Sequence, residues 1–210
     1  MKFMVAGLVG MLALSGVAHA QSASPSKGYV EGVAQSAFGN VTSQSFGVEG
    51  GVALNPHITI FAEVGMIRDS ADKSIGPSAQ IIANAIGTGA TYSVRQPVGF
   101  GQLGARYNLD AHGKFQPYLA VEGGLAQVKR DVKFTLAGTD VTDKLSTYGV
   151  ALGTDLGGTT TKPMFGGGVG VVYNLTSALV FDANYRFNII TTANKSTNVN
   201  RVGAGIGIRF

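Results

Sequence analysis

Residues 201–210 read RVGAGIGIRF. Val202, Ala204, Ile206, Ile208 and Phe210 are apolar, and Arg201, three glycines and Arg209 alternate with them. A helix would place apolar residues three and four apart. Strict alternation instead predicts a β-strand with two unlike faces, because successive side chains of a strand point to opposite sides. One face is apolar and ends on an aromatic ring; the other carries glycine and arginine.

The same pattern recurs upstream. Period-two alternation marks eight segments near 27–38, 44–54, 58–68, 92–109, 115–130, 162–175, 178–189 and 199–210, separated by turn signals. In 178–189, Leu179, Phe181, Ala183, Tyr185, Phe187 and Ile189 share one face, with Asp182, Asn184, Arg186 and Asn188 on the other. Phe46, Val48, Val52 and Leu54 oppose Glu49, and Ile58, Ile60, Val64 and Met66 oppose Glu63. Leu103, Ala105, Tyr107 and Leu109 oppose Arg106, and Leu119, Val121 and Leu125 oppose Glu122. The first segment is less clean, because Tyr29 and Val33 share the phase of Glu31.

Composition narrows the fold. The 210 residues include 31 glycines, a poor helix former, and 45% hydrophobic residues, with no tryptophan. There is no cysteine, which excludes disulfides, thiol catalysis and cysteine metal sites. The 16 basic and 12 acidic residues give a formal charge of +4 without any Lys/Arg run, so no nucleic-acid surface is expected.

A water-soluble barrel or sandwich also alternates, but it turns polar side chains outward. Here the apolar face is continuous and aromatic, whereas the opposite face mixes glycine with isolated charges. That second face suits a narrow lumen better than a solvated surface. Connection lengths agree: NPH at 55–57, DAHGK at 110–114 and TS at 176–177 are tight, whereas 69–91 and 131–161 are long. Short turns at one end and long loops at the other fit an eight-stranded antiparallel, up-and-down transmembrane β-barrel.

The start of the chain, MKFMVAGLVGMLALSGVAHA, has one Lys, an apolar run and a small-x-small site at Ala18 and Ala20. This predicts a secretory signal peptide over 1–20, cut after Ala20, and a barrel domain over 21–210. The apolar run is shorter than the roughly 20 residues a membrane-spanning helix requires.

With KGYVEGVAQSAFG (27–39), QPYLAVEGGLA (116–126), FDANYRF (181–187) and RVGAGIGIRF in order, the chain resembles the small eight-stranded outer-membrane β-barrels of Gram-negative bacteria, the opacity-protein and OmpA/OmpX-like group. The resemblance implies the cell outer membrane with both termini periplasmic, and contact with lipid and lipopolysaccharide. It also implies recognition by the barrel-assembly machinery through a terminal strand ending in Phe, here Ile206, Ile208 and Phe210.

Glu49, Glu63, Arg106, Glu122, Asp182, Arg186, Arg201 and Arg209 fall on the interior phase. Eight strands leave a lumen just wide enough to be filled by side chains, so these groups are expected to form a charge network. A narrow pore for small solutes is the alternative reading of the same residues.

An outer-leaflet lipid hydrolase would need a base near the long loops. The histidines after the leader, His57 and His112, fall in short turns at the other end, so no enzyme is expected. Asp140, Asp143 and Asp155 lack the spacing of a calcium loop, and no cofactor is expected. The segment 74–93 is unusually apolar for a surface loop, which suggests a short helix over the barrel mouth or a partner surface. A host or cell-surface ligand is accordingly expected at 69–91 and 131–161.

Overall fold

The computed structural model describes residues 28–71, 75–153, 156–191 and 196–210. The predicted leader with Ala18 and Ala20, and Asp155 of the acidic loop, lie outside the described residues.

Among the described residues ten strands form, and eight of them close into a ring. They are β1 (Gly28–Phe38), β2 (Ser43–Ala53), β3 (Ile58–Ile67), β4 (Ala90–Arg95), β5 (Val98–Asn108), β6 (Phe115–Leu136), β7 (Thr139–Asp140), β8 (Gly158–Asn174), β9 (Leu179–Thr191) and β10 (Ser196–Arg209). Hydrogen bonding runs β6-β5-β3-β2-β1-β10-β9-β8 and returns from β8 to β6. Every pairing is antiparallel. The 201–210 stretch therefore pairs with the first strand, Val30 opposite Ile208 and Ala34 opposite Ala204, and no edge of the ring is left open. Gly28 and Phe210 exchange both backbone hydrogen bonds at 3.0 Å.

Alternation sets the two faces. Val48, Val64, Leu103, Val121, Phe165 and Ile206 all point outward and are exposed, forming an apolar wall. Large inward side chains are accommodated by glycine on the neighbouring strand. Tyr29 lies opposite Gly51, Phe100 opposite Gly65, Phe61 opposite Gly104 and Tyr118 opposite Gly170. A Cβ at any of these four glycines would come within 2.4–2.6 Å of the facing ring. Part of the glycine content is thus a matter of interior space.

The short turns use side-chain oxygens as caps. Asn55 Oδ1 accepts from the backbone N–H of His57 and Ile58 at 2.9 and 2.8 Å. Thr176 Oγ1 accepts from those of Ala178 and Leu179 at 3.2 and 2.8 Å. These Asx- and Ser/Thr-type turns reverse the chain in the fewest residues.

At the other end the structure corrects two expectations. The segment 92–109 is not one strand: it breaks at Gln96–Pro97, where proline has no N–H for the ladder. Register to β6 is unchanged across the break, with Arg95 opposite Asp131 and Val98 opposite Val128. The second correction is that 131–161 is not simply a loop. β6 runs on to Leu136, turns through Ala137 and Gly138, both at positive φ, and pairs with β7. A 3-10 helix, Thr142–Tyr148, follows. Twenty-two residues make β6 about twice as long as a membrane-crossing strand requires.

The apolar stretch at 74–93 does contain a helix, α1 (Ile75–Ile86). It packs on β4, β6 and the 3-10 helix. Ile75, Ala79, Ala83 and Ile86 meet Val132, Phe134, Val141, Leu145 and Leu156 there in a small hydrophobic core distinct from the barrel's. Among the described residues no helix is long and apolar enough to cross a membrane.

Candidate functional site

Three arginines organise the lumen. Arg106 on β5 donates from Nη2 to Glu31 (2.9 Å), Asp182 (3.1 Å) and Glu49. Its guanidinium carbon lies 4.4, 5.0 and 5.5 Å from the ring centres of Tyr118, Tyr29 and Phe61, within cation–π range. Both tyrosines also bind the acids: Tyr29 donates to Glu49, and Tyr118 to the two oxygens of Asp182 at 3.1 and 2.8 Å.

Arg186 on β9 continues the chain, bridging Glu49 at 2.8 Å and Glu122 at 2.6 Å. Arg201 on β10 grips Glu63 with two nitrogens at 2.6 and 3.1 Å and approaches Glu122 at 3.6 Å. It also donates to Asn188, Gln35 and Gln102, and stacks 4.5 Å from the Phe100 ring centre. Five carboxylates and three guanidinium groups thereby form one buried, connected network. Each charge is desolvated, and pairing plus hydrogen bonding offset that cost.

The structure thus brings together seven of the eight residues singled out on the interior phase. Arg209 stands apart: it donates to Asn174 and Gln116 at 2.6 and 3.4 Å and has no carboxylate in ion-pair range among the described residues. Sequence reading missed Tyr29, Glu31 and Tyr118. The mixed phase of the first strand was the signal, since a tyrosine on a carboxylate's phase is a hydrogen-bond donor as well as an apolar body.

Towards the long-loop end the lumen changes character. Ala37, Ile67, Val98, Phe100, Ala126, Val128, Met164, Ile190 and Val199, contributed by seven strands, pack into one buried cluster on the inward phase. Ile67 and Met164 have no exposed surface. This apolar plug lies directly above the charge network. At the opposite end, beyond Arg106, a cavity of about 390 Å³ opens among the short turns.

His57 and His112 occupy the short turns, exposed, with ring nitrogens 3.2 and 3.0 Å from the backbone oxygens of Asn108 and Asp110. Asp140 Oδ1 accepts from the Thr142 N–H at 2.9 Å. Hydrogen bonds from the Thr142 side chain and backbone hold its carboxyl below the usual range, so this loop acid serves the turn into the 3-10 helix.

Side-chain-filled lumen, apolar outer wall and ring closure together describe a membrane barrel. A family model, the outer membrane protein β-barrel domain, matches residues 6–210. The chain belongs to that family. Its place is accordingly the outer membrane of the Gram-negative envelope, with the apolar wall against lipid.

Solved structures of similar fold include Neisserial surface protein A (NspA), 17% identical over 90% of this chain and 100% of that one, TM-score 0.56. The N-terminal β-barrel domain of Pseudomonas aeruginosa OprF is 16% identical over 88% of this chain and 98% of that one, TM-score 0.51. Ail, the attachment invasion locus protein of Yersinia pestis, is 14% identical over 89% of this chain and 100% of that one, TM-score 0.50. Ail has also been solved in complex with the heparin analogue sucrose octasulfate. A comparison with curated protein sequences yields no match.

Proposed function

We propose that this protein is a closed outer-membrane barrel that acts through its surface, by reinforcing the envelope and by presenting its long-loop end for adhesion or defence. In this reading the short turns and both termini face the periplasm. Residues 1–20 are removed at Ala18-His19-Ala20, and Ile206, Ile208 and Phe210 are read by the assembly machinery. Lipid and lipopolysaccharide surround the wall.

The carrying observation is the contrast between the two ends of the molecule. The lumen is filled by the arginine–carboxylate network and capped by the apolar plug, which favours a closed barrel over the narrow-pore reading. The long-loop end instead builds a second hydrophobic core around α1, which a mere connection between strands would not require. That core leaves Ile81 70% exposed on the outer side of the helix, next to exposed Pro77 and Ala85. The surface-binding reading is also the one suggested by the names of NspA and Ail. A hydrolase is disfavoured by the histidines, which lie among the short turns.

The test is adhesion of cells displaying the protein to host cells and to one another. Deletion of residues 76–89 should abolish it while the barrel still assembles; unchanged adhesion would remove the surface reading.

A further inference from the structure

The cavity among the short turns contains features the charge network does not use. Arg209 lines it, half-buried, and among the described residues its side-chain hydrogen-bond partners are the neutral oxygens of Asn174 and Gln116. The three other lumen arginines each hold at least one carboxylate. Gln116 lines the cavity too; its carbonyl oxygen accepts from Arg209, and its amide N–H groups have no partner among the described residues. At the inner end Arg106 Nε is a buried donor with no partner among the described residues. Ala53, Leu54, Val172 and Val180 supply an apolar wall. The volume of about 390 Å³ falls within the range of small-molecule sites, and the pattern, apolar walls with a few convergent donors, is theirs as well.

We propose that this vestibule binds a small monocarboxylate with a compact apolar body, its carboxylate on the Arg209 guanidinium and the Gln116 amide. Planar, two-point recognition of a carboxylate suits a guanidinium whose remaining N–H groups have no partner among the described residues. The apolar body lies against Val172, Val180, Ala53 and Leu54. Glu31 at the inner end sets the charge limit: a second anionic group reaching inward would meet its carboxylate, so dicarboxylates bind less well. The vestibule lies at the opposite end of the barrel from α1, so this site stands or falls independently of the surface role.

The experiment uses the mature chain refolded in detergent micelles, with benzoate as the probe and benzamide as its uncharged counterpart. Side-chain amide NMR signals of Asn108, Gln116 and Asn174 report binding. Saturable benzoate shifts are expected, with benzamide at least tenfold weaker. Arg209→Gln should weaken benzoate at least tenfold, and so should Gln116→Glu, which places an internal carboxylate beside Arg209. Should Arg209→Gln not refold, Gln116→Glu and the benzoate–benzamide comparison decide. Equal binding of the two probes, shifts that do not saturate, or a Gln116→Glu variant that binds benzoate like the parent would each overturn the site.

Discussion

Arg201 is fully buried, and its guanidinium meets Glu63, Asn188, Gln35, Gln102 and the face of Phe100. Such a residue is costly to break because its partners have no water to turn to. Arg201→Met should strand Glu63 and destabilise the barrel by about 3–5 kcal/mol, read from reversible urea unfolding in lipid vesicles. The glycines opposite large rings are the second sensitive class. A Cβ at Gly104 would lie 2.4 Å from the Phe61 ring and 2.6 Å from the Val121 carbonyl oxygen. Gly104→Ala should therefore cost about 1–3 kcal/mol by overpacking in the same assay, whereas Gly99→Ala, facing open space, should change little.

The strands show how far alternation alone can be read. Inward Glu49, Glu63, Arg106, Glu122, Asp182, Arg186 and Arg201 were legible because each opposes an apolar run on its own strand. Which acid meets which arginine was not, since strand register around a closed ring is a tertiary property. The break between β4 and β5 falls at Pro97, a signal that the reading of 92–109 as one strand passed over. The extension of β6 was also written in the chain, as Val132, Phe134 and Leu136 alternate with Asp131, Lys133 and Thr135. That signal is easily assigned to a loop, because a membrane crossing needs only half of the strand's length.

The plug was hidden for a different reason. Val98, Phe100, Val128 and Ile67 are apolar on the face that elsewhere carries charge, while their outward neighbours include Gly99, Gly101, Gln127, Lys129 and Arg68, so the contrast between the two faces weakens or inverts there. At the same scale, the β6–β7 turn holds Ala137 at φ 48°, a conformation that suits asparagine better. Ala137→Asn should protect the hairpin by a few tenths to about 1 kcal/mol, seen as slower amide exchange at Leu136 and Thr139, the pair that flanks the turn. Thermal unfolding of the barrel itself should be unaffected, because the helix and this hairpin have their own core.

For the molecule as a whole, closure, wall and lumen are one design. Pairing β1 with β10 removes the edges, which is what permits strands to sit in lipid at all. The outward band must then stay uncharged: Val64→Arg, at mid-height on β3, should destabilise the folded barrel by about 2–4 kcal/mol in vesicles, while retaining the heat-dependent gel migration of a folded barrel. Inside, the network and plug occupy the width that eight strands leave. A lumen so filled should be closed to ions, and single-channel recording of the refolded protein in planar bilayers is the decisive measurement. With insertion verified by the heat-dependent gel shift, no discrete conductance steps are expected. Reproducible steps from the intact protein would contradict a closed lumen.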